Sequence, residues 1–147
     1  MIVENLFDTK FFPEQKQYVE TNSIYKSHVT KAMPQNSKDF PIVPTKLLSV
    51  RNKYNNLSYG EETYSFGIEV NVYAQDKTID GKKVSKRTIC NEITSHIVDY
   101  YKTNYRVTVK TQLDAPNVDS NVHRNIIRIT GVLDTKYGLD NLVIYPG

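Results

Sequence analysis

Asp114, Asp119 and His123 form the densest group of metal-ligating or proton-moving side chains in this chain. Such a set can hold zinc or act as an acid–base pair only when rigid elements aim its members at one point. The stretch "DAPNVDSN" (114–121) reads as a loop instead, and loops collect these residue types without forming a site. Asp76, Asp80 and Gly81 in "DKTIDGKK" (76–83) have the acids and glycine of a calcium loop. They lack its close oxygen spacing and its later glutamate, so the stretch reads as a polar loop around an Asp80-Gly81 turn. His28 and His96 have no adjacent acid or cysteine, and His96 borders an apolar helical stripe, which suggests a packed or half-exposed ring. Cys90 lies within that stripe, where a small buried thiol is ordinary and a nucleophile would be poorly placed. There is no Gly-rich phosphate loop and no Gly-x-Ser-x-Gly elbow. The expectation is a protein without enzymatic activity, metal or cofactor.

Nucleic-acid chemistry is the next class to weigh, because basic and aromatic residues interleave in "RNKYNN" (51–56) and "YYKTNYRVTVK" (100–110). Arg51, Lys53, Tyr54, Lys102, Tyr105 and Arg106 would carry such binding. Phe66-Gly67 also matches part of the signature strand of an RNA-recognition motif. The rest of that signature fails: Tyr64 replaces the basic residue, Ser65 the first glycine and Glu69 an apolar residue. Were Phe66 and Ile68 to face RNA, Glu69 would point into the core, and an unpaired buried carboxylate is costly. Tyr64, Phe66, Ile68, Val70 and Val72 must therefore be the core face. Each large apolar side chain gains roughly 1.5–3 kcal/mol on full burial, which makes the orientation hard to reverse.

The elements that would position these residues follow from period and punctuation. "YSFGIEVNVYAQ" (64–75) alternates as a strand with one apolar and one polar face. Residues 85–103 form the best helix, with Ser85 as N-cap and Val84 and Ile89 at staple spacing. Ile89, Cys90, Ile93, Ile97, Tyr100 and Tyr101 fall within an arc of about 120°, while Thr94, Asp99 and Lys102 face away. A further helix is expected within residues 2–22, interrupted or begun near Pro13 and ended by "TNS" (21–23). Strands are expected over 25–33, 45–54, 106–113, 125–133 and 142–145, with Val107, Val109 and Leu113 on one face of the third. "MPQNSKDFPIVP" (33–44) carries three prolines and belongs on an edge or in loops. "NNLSYGEE" (55–62) is a turn-rich connection. Helix, two or three strands, helix, then two or three strands make an α+β domain over 1–147. Its largely antiparallel sheet is covered on one face by helix.

Composition agrees with one soluble domain. The 147 residues are 39% hydrophobic and 24% charged, and 19 Lys and Arg against 16 Asp and Glu give +3. That excess is spread along the chain and identifies no partner. A single cysteine excludes an internal disulfide and suits a reducing compartment. "MIVENLFDTK" lacks the basic and apolar regions of a signal peptide, and no window nears the roughly 20 apolar residues that span a bilayer. The eleven tyrosines fit either half-buried strand edges or a contact surface.

Three stretches together resemble the tail terminator and head–tail joining (neck) proteins of long-tailed bacteriophages. "KDFPIVPTKL" is a proline-flanked segment leading into a hairpin. "YSFGIEVNVYAQ" runs through a polar loop directly into the helix "SKRTICNEITSHIVDYYKTN". "YRVTVKTQLDAPNVDSNVHRNIIRITGVLD" follows as strand, acidic loop and strand. The resemblance implies a virion protein assembled in the bacterial cytoplasm. It would form a homo-oligomeric ring, most often a hexamer, that caps the tail tube and joins the head connector, with DNA passing through the lumen and no membrane contact. It is also similar to neighbouring neck proteins, namely head-completion (stopper) and tail-completion proteins. Expected contact residues are Arg51, Lys53, Tyr54 and Tyr59 in the hairpin, then Lys77, Asp80, Lys82 and Lys83 before the helix. Tyr145 in the terminal "VIYPG" is another. Glu69, Asn71 and Tyr73, on the polar face of the alternating strand, would line a lumen, touch the next subunit or meet water.

Overall fold

A computed structural model describes residues 2–31, 40–56, 61–135 and 142–147. Helix α1 (Ile2–Leu6) passes through a π-helical turn (Phe7–Phe11) into α2 (Phe12–Asn22). Strands β1 (His28–Thr30), β2 (Ile42–Asn56) and β3 (Glu61–Ala74) follow, then the small hairpin β4 (Lys77–Ile79) and β5 (Lys82–Val84). Helix α3 (Lys86–Asn104) leads to β6 (Thr108–Gln112), β7 (His123–Asp134) and β8 (Val143–Pro146). The main sheet runs β1-β2-β3-β7-β6, with β8 beside β7. Only β1 and β2 are parallel; the rest of the ladder is antiparallel. This is an α+β fold, with the helices on one face of the sheet.

The alternation of β3 sets the core. Tyr64, Phe66, Ile68, Val70, Val72 and Ala74 are all buried, facing Ile127, Ile129 and Leu133 of β7. From α3, Ile89, Cys90, Ile93, Ile97, Tyr100 and Tyr101 close over them. Ser85 caps α3 as expected, its hydroxyl accepting from the Thr88 amide at 3.2 Å. The N-terminal helix adds Val3, Phe7, Phe11, Gln15 and Val19. Pro13 stands in the first turn of α2, just past the π turn. A proline inside a helix lacks a donor and presses on the carbonyl four residues earlier, so a widened turn there lets the helix continue.

A buried polar chain joins three elements under this layer. The Tyr101 hydroxyl donates to Gln15 Oε1, and Gln15 Nε2 donates to Thr45 Oγ1 at 2.8 Å. Each buried polar group thus finds a partner on a different element, which pins α2, α3 and β2 together. Many of the tyrosines also prove internal. Tyr18, Tyr100, Tyr101 and Tyr105 pack together in tilted and edge-on pairs, with centroid separations of 4.9–6.3 Å. Phe11 lies edge-on to Tyr105 and stacks on Phe66.

Several expectations are corrected. The strand expected over 25–33 is limited to His28–Thr30 among the described residues. Pro44 is inside the sheet, between β1 and β3, and not on an edge or in a loop. The β2–β3 register steps from Ile42↔Tyr73 to Thr45↔Val70, so Pro44 sits where the ladder has a gap. "DKTIDGKK" is a two-stranded hairpin and not a loop. Asp80 and Gly81 both have positive φ, 52° and 78°, as the tight turn requires. Thr94 faces inward, because its hydroxyl accepts from buried Asn125 at 3.0 Å. Leu113 lies past the end of β6 and is half exposed.

Gly131 is required by close approach. A Cβ there would lie 2.8 Å from Phe66 Cζ and 3.2 Å from Val107 Cγ1. Gly67 is different, since a Cβ would meet only Leu48, at 3.7 Å. Gly131→Ala is therefore expected to cost about 1–3 kcal/mol through overpacking. Gly67→Ala should stay within about 0.5 kcal/mol of the parent. Urea denaturation of the two variants checks the contrast, and equal midpoints would contradict it.

Candidate contact surface

Strand alternation and register define the sheet face that carries no helix among the described residues. Odd residues of β3 share it with even residues of β7 and β6 and with Lys46 and Arg51 of β2. One row crosses four strands: Lys46, Glu69, Arg128 and Lys110 are successive Cα partners. Asn71 pairs with Ile126, and Tyr73 with Arg124.

Glu69 organises this face. It lies almost out of water at 11% side-chain exposure, whereas Lys46 and Arg128 are 60% and 56% exposed. Its Oε1 accepts from Asn71 Nδ2 at 3.0 Å and lies 3.8 Å from Lys46 Nζ. Its Oε2 accepts from Arg128 Nε at 3.3 Å. Asn71 Oδ1 in turn accepts from Arg124 Nε at 2.9 Å. Arg124 also donates to the Pro116 carbonyl at 3.1 Å and lies over the Tyr73 ring, 5.6 Å from its centroid. Two arginines are thus oriented through their Nε atoms by one acid and one amide. Burial alone would raise the Glu69 pKa. The Asn71 hydrogen bond, with Arg128 and Lys46, outweighs it and holds the carboxyl below its ordinary value.

The expected contact residues divide among separate places. Glu69, Asn71 and Tyr73 belong to the open face, and so does exposed Arg51, which pairs with Ser65. Glu69 and Asn71 are buried and tied to their own sheet, so they support the surface more than they present it. Tyr145 stands on β8 opposite Val132, exposed beyond β6. Lys53 and Tyr54 lie on β2 towards the hairpin end, and Tyr59 falls outside the described residues. Lys77, Asp80, Lys82 and Lys83 sit on the separate β4–β5 hairpin, where Lys83 Nζ is 3.6 Å from Asp76.

Arg51, Lys102, Tyr105 and Arg106 do not converge as a nucleic-acid site. The Tyr105 ring is occupied by Phe11, Tyr100 and Tyr101, so it offers no stacking platform. Asp114 and His123 do approach, at 3.0 Å, with Arg87 at 3.4 Å from the same carboxylate. Asp119 turns to its own loop and accepts from the Asn121 amide at 2.9 Å. His96 has an acid after all, one helical turn earlier: Glu92 Oε1 is 2.8 Å from its Nε2. The same carboxylate accepts from Ser23 and from the Ile24 amide, joining α3 to the end of α2. The Cys90 thiol donates to the Val72 and His123 carbonyls, and burial pushes its pKa up to about 12.

No family model and no curated protein matches this chain. Among the described residues, no helix is long and apolar enough to cross a membrane. The cations missed from sequence are Lys46, Lys110, Arg124 and Arg128. The polar positions of "HRNIIRITGVL" carried the signal, since Arg124 and Arg128 alternate with the core residues Ile127 and Ile129.

A depressed carboxylate pKa stabilises the fold fully above its unfolded value, near 4.5, and that contribution is lost as pH falls through the lower folded value. Glu69→Gln is expected to lower stability at neutral pH and to flatten the acid limb of stability below about pH 4.5. Urea midpoints across a pH series measure both. An unchanged acid limb would show that Glu69 is not matched as described.

Proposed function

We propose that the chain is a structural assembly protein resembling phage tail terminators and related neck proteins. On this reading it closes into a ring, hexameric in the simplest case, that caps a tail tube and meets a head connector. The observation that carries the reading is the order of layers. An N-terminal helix, the long β2–β3 hairpin, α3 and the returning β6–β7 pair build one sheet with helix on one side and, among the described residues, none on the other.

Two further features favour repeated self-contact. The outer edges of β2 past Pro44 and of β6 have no strand partner among the described residues. Open edges invite pairing, and ring neighbours are one way to cover them. The edges lie on opposite sides of the sheet, which suits a head-to-tail interface whose rotation closes. β2 and β6 also run in opposite directions, so copies arranged about an axis parallel to the strands would meet antiparallel.

Negative-stain imaging and light scattering, with and without tail tubes, test this reading. Rings, or caps on tube ends, are the expected result, and a strict monomer that never caps a tube would overturn it. Deleting the gene should give tails of uncontrolled length if the protein terminates tubes. Normal but unattached tails would assign it to the stopper or completion proteins instead.

A further inference from the structure

We propose that the open sheet face of a single copy binds the phosphate backbone of duplex DNA, centred on Arg128 and flanked by Lys46, Lys110 and Arg124. This goes beyond the ring reading, because it concerns one copy's face whether or not copies close into a ring.

Charge comes first. The central row holds three cations against Glu69, and Arg124 adds a fourth, four residues along β7 from Arg128. Glu69 is nearly buried while Lys46 and Arg128 are more than half exposed, so the positive groups reach solvent and the negative one does not. Preorganisation is the second observation. Arg128 contacts Glu69 through Nε, which leaves its two terminal nitrogens to meet an outside acceptor as a fork. Arg124 is held by Asn71 and Pro116 and stacked on Tyr73, so it adds charge in a fixed place.

Size and composition then select the ligand. At about 3.3 Å per residue and 4.8 Å per strand, the four cations span a patch roughly 13 by 14 Å. A duplex presents one charge per about 1.7 Å of its axis, so several phosphates face a patch of that length. Protein interfaces deplete lysine and glutamate, and three of the four residues in this row are Lys46, Glu69 and Lys110. Single-strand binders need open rings for base stacking, and Tyr73 is already covered by Arg124. Backbone contact without base reading is what remains.

Fluorescence anisotropy of a labelled duplex, at protein concentrations where light scattering shows single copies, tests the assignment. Binding should be salt-dependent, with log K against log salt falling at a slope of about −3 to −4 for four contacts. Lys46→Ala with Lys110→Ala should reduce that slope by about two and weaken binding at least about tenfold at low salt. Lys82→Ala with Lys83→Ala removes the same charge from the β4–β5 hairpin and should change little. No binding at low salt, or equal losses in the two double variants, would overturn the proposal. Poly-glutamate competing as well as unlabelled duplex at equal charge would move the face to an acidic protein partner and also overturn it. Rings seen by imaging alongside a flat anisotropy titration would reject this inference while leaving the ring reading standing.

Discussion

The carboxylate of Glu69 sits in the middle of the central strand, almost removed from water, and a charge in such a place persists only if its surroundings match it. The match comes from three directions: an amide two residues along the same strand, a guanidinium across β7 and an ammonium across β2. The two cationic partners require a particular register between neighbouring strands. Slipping β3 by one residue against either neighbour would turn Glu69 into the hydrocarbon core and Ile68 or Val70 out of it. Apolar burial on one face and ion pairing on the other therefore specify the same alignment.

That double specification explains which parts of the fold were legible in the sequence. The core face of β3 and the stripe of α3 follow from local period, and every residue assigned to them is buried. The matching of Glu69 is not local: Arg128 lies 59 positions away, and only the β3–β7 register brings it opposite. From sequence, Glu69 and Asn71 look like surface; in the fold they are supports for the arginines. The three-residue strands of the β4–β5 hairpin give too little alternation to register as a period. Helical period alone puts Thr94 outside the apolar stripe, because its partner, Asn125, comes from β7. His96 looked isolated in a linear reading, although Glu92 is its neighbour on the helix.

The two faces of the sheet divide the work. On the helical face, aromatic contacts and the Tyr101–Gln15–Thr45 chain fix α2, α3 and β2. Burial pushes the Tyr101 hydroxyl well above its usual range, so it stays a donor. On the opposite face, the exposed cations Lys46 and Arg128 flank the nearly buried Glu69.

The π turn at Phe7–Phe11 bears on the geometry of the whole N-terminal layer. The inward residues Val3, Phe7, Phe11, Gln15 and Val19 recur at strict intervals of four. In a 3.6-residue helix, each step of four overshoots a full turn by about 40°, so the line of contact would wind about 160° around the axis over four steps. A turn that takes up more residues rotates the line back, like a correction tooth in a gear train. Phe11 and Gln15 consequently reach the sheet on the same side as Val3, while Pro13 is left on the outer, exposed surface. A residue removed from that turn would leave the helix intact and still aim Gln15 away from Tyr101.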